Sequence, residues 1–515
     1  MNSKFFLNIR NTHLTNVQSI DWDLVVIGSG AIGLGSAIEA ASRGLKVVVL
    51  DKGDIGNGTS SRSTKLFHGG VRYLKSFQFN FLFKSLREKR ILINLSPGLI
   101  RPINFHLPVN SFSKAFYYFL GISFYKLFSK DFFLINNFKD TGLKKFLKSS
   151  FCLNYSDLQF DESRYLMSLM YTAESFGVIF VTYTSFESFK NLNNKIKELK
   201  INDLLTGNNG VINTKFVLNV TGFNVCEVRK QLIKNNYFTD NLTFSSGFHI
   251  VLDKLFFPFD SSAIIIPETT DGRVMYIIPW RNSILIGTTD ETILKPYYDI
   301  MPSKKDINFL LENVTPYLAK TPQLKDIKSI FSGVRSLYSE KKFVNNSSAS
   351  ISREHFIDVD QSGIISIFGG KWTMYRSISE EVINTLNTRF NLGLKASFSK
   401  LIKLKNESSK DYLKKCNHTD TYQSNVNASS RYYNCSKCGL SNDDILNFII
   451  HEHAFTLEDI LARRTSILYE DARYALMLAP KVISVLSEYF DFDKNWERIE
   501  LENFEIKVKN FYLFD

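Results

Sequence analysis

The stretch from Asp23 to Asp51, DLVVIGSGAIGLGSAIEAASRGLKVVVLD, constrains this chain more than any other. Leu24 to Ile27 is an apolar run suited to a strand buried on both faces, and Gly28, Gly30 and Gly33 follow at G-x-G-x-x-G spacing before Ala-rich helical sequence. Gly28 allows a tight turn, Gly30 leaves room for a pyrophosphate, and Gly33 lets helix and strand approach closely. The helix N-terminus adds free N–H groups and partial positive charge where phosphates sit. A second apolar run, Val47 to Leu50, ends in Asp51, placed to accept both hydroxyls of a ribose. A lone G-x-G-x-x-G is weak, but strand, glycines, helix, strand and acid in order predict a dinucleotide site rather than a glycine-rich turn of another α/β protein.

With 515 residues the chain is long enough for about three domains, and 44% hydrophobic residues supply ample core. A formal charge of +12 points to acidic partners: a phosphorylated substrate, an anionic membrane surface or nucleic acid. Cys152, Cys226, Cys416, Cys435 and Cys438 are too few and scattered for a disulfide framework, which favours a reducing compartment. No signal-peptide core and no run of 18 apolar residues occurs, and residues 1–20 read as a frayed tail.

After Asp51 comes the polar loop KGDIGNGTSSRSTKLFHGGVRYL, whose hydroxyls and glycines suit either a polar ligand or a plain surface loop. GSGAIGLG followed by GTSSRSTKLFHGGVRYL resembles the FAD-dependent glycerol-3-phosphate dehydrogenases of the aerobic, quinone-linked type, whose loop carries SS-x-S-S-K-L-x-H-G-G-x-R-Y-L; Thr64 replaces a serine and keeps the hydroxyl. The similarity resumes in SGFHIVL (246–252), IIPWRNSILIGTTD (277–290), SGVRSL (332–337), SISREH (350–355), FGGKWTMYR (368–376) and EHAFTLEDILARRT (452–465). The resemblance implies an enzyme that oxidises sn-glycerol 3-phosphate to dihydroxyacetone phosphate by hydride transfer to FAD and passes electrons to a quinone. An oxygen-using glycerol-3-phosphate oxidase, or another FAD-dependent hydroxy- or amino-acid oxidase, is the alternative.

Flavin oxidation of a secondary alcohol needs a base for the hydroxyl proton, a fixed hydride path and positive charge near the reduced ring; a phosphorylated substrate also calls for arginines, whose forked donors match phosphate. By resemblance His249 is the general base, with His68 as a rival. A lone His beside an apolar strand is more often structural. Arg335 and Arg353 are implied for the phosphate, assisted by Arg72 and Tyr73, and Lys371 for the developing alkoxide or reduced ring. Gly28, Ser29, Gly30, Ala31, Ile32, Gly33, Asp51, Lys52, Ser60, Ser61, Lys65, His68, Gly69, Gly70, Gly222, Gly369, Gly370 and Thr373 are implied at the cofactor. Trp372 stands where the family more often has Leu.

The implied architecture is α/β plus α+β: a Rossmann-like FAD-binding domain assembled from residues 20–85, 155–245 and 335–395, a mixed-sheet substrate domain from 86–154 and 246–334, and a helical C-terminal domain over 396–515. Phe244 to Asp290 reads as successive short antiparallel strands. Asp157 to Phe180 reads as helix until near Gly177, then strand; 189–210 as polar turns; Thr456 to Asp459 as a capping box; and Pro480 as the first turn of a helix.

Residues 76–135 carry eight Lys or Arg against Glu88 and Asp131, interleaved with fifteen Phe or Tyr. Such a surface suits an anionic membrane, although a subdomain with a buried aromatic core has the same composition. The resemblance favours peripheral attachment to the cytoplasmic or inner mitochondrial membrane, and leaves a homodimer open. The basic residues surround no RNA-binding motif, so nucleic acid is set aside. Cys435-x-x-Cys438 with Cys416 and His418 is too loosely spaced for zinc, and no metal is expected.

Overall fold

A computed structural model describes residues 3–67, 79–129, 143, 146–147, 149–192, 195–233, 241–269, 273–339, 353–405 and 440–512. The first element is α1 (Lys4–Gln18), whose first turn is closed by the Ser3 hydroxyl accepting from Phe6 N at 2.9 Å. A frayed tail was the expectation, and tertiary anchoring overturns it. Phe6 is buried against Phe455, Phe490 and Phe492, with ring centroids 6.0, 5.2 and 5.3 Å away. Arg10 donates to Asp203 at 2.8 Å.

Next come β1 (Asp21–Ile27), α2 (Ala31–Ser42) and β2 (Val47–Leu50). The two strands pair in parallel, Leu24 with Val47 through Ile27 with Leu50, as continuous apolar runs buried on both faces do. They are followed by α3 (Phe79–Leu95), β3 (Ile100–Val109), α4 (Phe112–Ser129) and β4 (Phe151–Phe160). Then α5 (Glu162–Glu174) begins only after Asp161, whose side chain accepts from Arg164 N at 3.2 Å. Residues 157–160 are therefore strand and not helix: Asp157 to Phe160 pair with Ile103 to Ile100 across the sheet. After β5 (Ile179–Val181) the polar stretch forms a meander, β6 (Thr184–Leu192), β7 (Lys195–Asp203) and β8 (Asn209–Asn219), in place of the expected turns.

Helix α6 (Val225–Leu232) leads into β9 (Leu242–Asp253), β10 (Ser262–Ile266), β11 (Met275–Trp280), β12 (Ser283–Gly287) and β13 (Glu291–Ile293). The remainder is α7 (Lys304–Val314), β14 (Ile327–Tyr338), β15 (His355–Val359), β16 (Ile364–Gly369), α8 (Tyr375–Phe390), α9 (Asn442–His451), a π-helical turn at Asp459–Arg464, α10 (Ile467–Glu470), α11 (Ala472–Phe490) and α12 (Lys494–Val508).

Two sheets organise these elements. One runs β15-β16-β8-β1-β2-β5, parallel from β16 to β5, with β7 antiparallel to β8. The other runs β13-β9-β12-β11-β10-β3-β4, with β14 beside β9 along its whole length; it is antiparallel except for the β10–β3 pair. Both sheets and the helical C-terminal layer match the α/β plus α+β architecture read from the sequence. Pro480 lies inside α11 rather than at a first turn. The lost hydrogen bond and the ring clash cost about 3 kcal/mol, which the buried Ala475, Ala479, Val482, Ile483 and Leu486 on that helix offset.

Candidate active site

The turn after β1 is shaped for a dinucleotide. Gly28 has φ +110°, and a Cβ there would lie 2.7 Å from the Val220 carbonyl oxygen; at Gly33 it would lie 1.9 Å from the Gly28 oxygen. Gly30 is the N-cap of α2 and supplies no capping side chain, so the helix entrance presents backbone donors. A Cβ at Gly30 would close to 3.1 Å from Ser60 Oγ, which accepts from Ala31 N at 3.1 Å. Asp51 directly follows β2: its Oδ2 accepts from Ser29 N and Ser29 Oγ, both at 2.7 Å, and its Oδ1 from Gly53 N at 3.0 Å. Burial pushes its carboxyl above the usual range.

Across the parallel sheet, Gly222 has φ +62° with open space where a Cβ would point, and Gly369 and Gly370 have φ +71° and +99°. Thr373 is buried, and its Oγ1 has no hydrogen-bond partner among the described residues. A cradle that Cβ atoms would fill, an open helix entrance and an unsatisfied buried hydroxyl together fit an adenine dinucleotide carrying a flavin.

The second sheet places His249 and Arg335 together. In the β9–β14 register, His249 faces Phe331, Gly247 faces Gly333 and Ser245 faces Arg335, so the imidazole and the guanidinium share one face. Two glycines make room for them: a Cβ at Gly287 would be 2.6 Å from His249 Cδ2, and one at Gly247 would be 2.4 Å from Arg335 Nη2. The His249 ring stacks on Phe331 at 5.0 Å, and Nε2 lies 3.0 Å from Thr64 Oγ1 of the loop after Asp51. Nδ1 has no hydrogen-bond partner among the described residues. Burial, then the charges of Arg335 and Lys65, hold the His249 pKa well below 6.5, so at neutral pH the imidazole is neutral and can take a proton.

Arg335 donates to Thr288 Oγ1 at 3.0 Å and lies 3.5 Å from Asp290. Three residues on, Tyr338 meets the Gly369 turn: its Cβ is 3.4 Å from where a Gly369 Cβ would be, and the Glu354 oxygen is 2.8 Å away on another side. The backbone next to Arg353 thus packs on the Gly369 turn, while Arg335 is held by Thr288 and Asp290 and Lys371 Nζ donates to Ser85 Oγ at 3.2 Å. Trp372 fills an aromatic box, with Phe160, Tyr165 and Tyr375 at 4.9, 5.2 and 5.5 Å, and donates from Nε1 to Ser60 O at 2.9 Å. The indole therefore ties the Gly369–Gly370 turn to the loop after Asp51.

Some expected residues point elsewhere. Lys65 is buried with its ammonium on Glu162, beneath the rings of Trp280, Phe331 and Tyr469 at 5.0, 4.9 and 5.3 Å. Burial pulls its pKa down and pushes that of Glu162 up to about 7. Ser61 Oγ lies 3.4 Å from the Tyr469 hydroxyl, and Lys52 faces Tyr298, 6.0 Å from the ring centroid. His68, Gly69, Gly70, Arg72 and Tyr73 lie outside the described residues, as do Cys416, His418, Cys435 and Cys438. Among the described residues no cluster of His, Cys, Asp and Glu is placed to hold a metal. Thr64, Gly247, Gly287 and Phe331 also shape the site; the first three lie inside the motifs that carry the resemblance, and Phe331 lies just before SGVRSL.

This glycine-cradled βαβ unit beside an antiparallel sheet defines a flavin-dependent oxidoreductase. The chain belongs to the FAD dependent oxidoreductase family, which matches residues 23–376, and residues 438–497 match the C-terminal domain of alpha-glycerophosphate oxidase. It is 30% identical over 96% of its length to the probable mitochondrial glycerol-3-phosphate dehydrogenase of Dictyostelium discoideum, covering 84% of that protein. It is 29% identical over 95% of its length to the mitochondrial glycerol-3-phosphate dehydrogenase of Bos taurus, covering 73% of it. The match to the Homo sapiens counterpart, 33% identical over 78% of this chain, spans only 57% of that protein. The fold is shared with the glycerol-3-phosphate dehydrogenase of Bacillus halodurans complexed with FAD, at TM-score 0.73 and 22% identity over 98% of both chains.

Proposed function

We propose that this chain is an FAD-dependent glycerol-3-phosphate dehydrogenase that oxidises sn-glycerol 3-phosphate to dihydroxyacetone phosphate and passes the electrons to a quinone. The observation that carries this reading is the shared face of β9 and β14, where a neutral His249 and the cationic Arg335 stand beside the loop that follows Asp51. Bound FAD supplies the two-electron acceptor for the hydride leaving C2 of the substrate. His249 takes the hydroxyl proton as the carbonyl forms, positioned by the Thr64 hydroxyl and by stacking on Phe331. Arg335 and Arg353 hold the phosphomonoester, and Lys371 stabilises the developing alkoxide. Relatives named glycerol-3-phosphate dehydrogenase support the substrate.

Anaerobic titration tests this directly. Glycerol 3-phosphate is expected to bleach the flavin and glycerol is not; equal reduction by both would show that no phosphate site exists. Arg335→Ala is expected to lose about 2–3 kcal/mol of transition-state binding, roughly 30- to 150-fold in kcat/KM for glycerol 3-phosphate. Peroxide formed stoichiometrically in place of quinol would favour the oxidase alternative, which the match of residues 438–497 to an alpha-glycerophosphate oxidase domain keeps in view.

Helix α4 supports delivery of electrons at a membrane surface. Ala115, Ile122 and Tyr125 face inward, while Phe112, Phe116, Tyr117, Phe119 and Leu120 lie on the outer side, Phe112 at 74% exposure. Exposed Lys84 and Arg87 of α3 stand on the neighbouring helix. No helix among the described residues is long and apolar enough to cross a membrane. An apolar stripe beside cations suits an interfacial helix. The double variant Phe116→Ser, Leu120→Ser is expected to bind anionic vesicles at least tenfold more weakly, since each buried apolar side chain contributes about 1.5–3 kcal/mol, with turnover of a soluble dye acceptor unchanged. Undiminished vesicle co-sedimentation would rule α4 out as the contact.

A further inference from the structure

We propose that the C-terminal helical layer is a clamp on the loop after Asp51, with Asp54, Arg463 and Arg464 as positioning residues for the flavin site. Asp54 is fully buried, and its carboxylate receives Arg463 Nε at 2.5 Å and a two-pronged contact from Arg464, Nη1 to Oδ2 and Nη2 to Oδ1, both at 2.7 Å. Two consecutive arginines reach one carboxylate because Asp459–Arg464 is wound as a π-helix. Such turns recur at functional sites. Arg463 also donates to Asn57 Oδ1 at 3.2 Å and to Asp459 at 2.6 Å, and Tyr183 donates to Asp459 at 2.6 Å.

The grip repeats further along the loop. Arg62 donates to Gly58 O at 3.1 Å and to Asp299 at 2.8 Å, Lys507 of α12 lies 3.4 Å from the other Asp299 oxygen and also pairs with Glu458, and Tyr469 of α10 meets Ser61. A buried ion pair contributes little net stability, because desolvation offsets the attraction; its effect is to fix geometry. Here the geometry fixed is that of the cofactor cradle. Asp54 sits between Gly53, whose N–H holds the Asp51 carboxylate, and Gly56, whose N–H donates to Ser29 O at 3.2 Å. Ten residues on, the same loop presents Thr64 to His249. A displacement of Asp54 is therefore transmitted to the ribose-binding acid, to the turn between Gly28 and Gly30, and to the orientation of the base.

The inference rests on reading residues 51–65 as part of the flavin site, and coupling between clamp and cofactor must be reciprocal. Arg464→Lys keeps the charge and loses the fork, and Asp54→Asn keeps the volume and loses the charge. Both are expected to raise the FAD dissociation constant at least tenfold and to slow flavin reduction by glycerol 3-phosphate, whereas Arg498→Ala, in an exposed pair with Glu502, leaves both unchanged. A variant that melts earlier yet binds FAD and is reduced at the wild-type rate would reduce the clamp to a structural contact. Amide hydrogen exchange on the wild-type protein decides the matter even if the variants do not fold. Removing FAD is expected to deprotect residues 455–470 together with 51–65. Deprotection of 51–65 alone overturns the clamp, and deprotection of neither overturns the assignment of the loop to the flavin.

Discussion

Replacement of His249 by Asn is expected to lower kcat for glycerol 3-phosphate about 10²- to 10⁴-fold, the usual contribution of a positioned general base, with flavin content unchanged. The side chain is buried, its Nε2 is fixed by Thr64 and its ring by Phe331, so a shorter amide removes the basic nitrogen without opening the sheet. The pH dependence carries a sign. Burial and the Arg335 and Lys65 cations hold the imidazole pKa well below 6.5, so the neutral, proton-accepting form persists as pH falls through 6.5. The kcat/KM profile is expected to stay flat from pH 7 through 6.5 and to fall only at the lowered pKa; an acid limb centred above 6.5 that vanishes in His249→Asn would contradict the assigned environment.

Gly33→Ala is expected to yield protein without flavin. The added Cβ would lie 1.9 Å from the Gly28 carbonyl oxygen and 3.2 Å from Val220 Cγ2. Overpacking among side chains costs about 1–3 kcal/mol, and here the obstacle is backbone, so α2 must move off β1 and carry the phosphate-facing helix entrance with it. Gly121→Ala in α4 is the matched control: a Cβ there meets nothing within 4 Å, and the yellow colour should be retained. An absorbance spectrum of the purified variants settles it, and a fully flavinylated Gly33→Ala would remove the cradle from the argument.

Local chemistry decides what the sequence makes legible. The βαβ unit is readable because each requirement is met within thirty residues: apolar continuity for parallel strands, glycines where a Cβ has no room, and an acid at the strand end. The site as a convergence of distant segments is not. That Gly247 and Gly287 vacate space for Arg335 and His249 depends on a β9–β12–β14 register spanning some ninety residues, and a glycine in a strand has the same local appearance whether it bends the strand or admits a neighbour. Arg463 and Arg464 sit in an ordinary amphipathic stretch; their carboxylate partner is four hundred residues earlier. Residues 157–160, Asp-Leu-Gln-Phe, alternate polar and apolar over too few positions to separate strand from helix period, and the partner strand β3 decides for strand. Thr456 to Asp459 succeeded for the opposite reason: a capping box is closed by its own neighbours, Thr456 Oγ1 accepting from Asp459 N at 3.2 Å and Asp459 Oδ2 from Thr456 N at 3.0 Å.

Helix α1 sets a timetable for biosynthesis. Its aromatic seat is built from Phe455, Phe490 and Phe492, so the segment has nowhere to dock until residues well over four hundred positions later have left the ribosome. An isolated fifteen-residue helix is marginal in water, so the nascent segment waits as exposed, partly apolar chain for most of translation. Closure of this contact then waits on synthesis of residue 492, and a ribosome stalled before residue 490 holds a nucleotide-binding unit whose α1 segment is still available to chaperones.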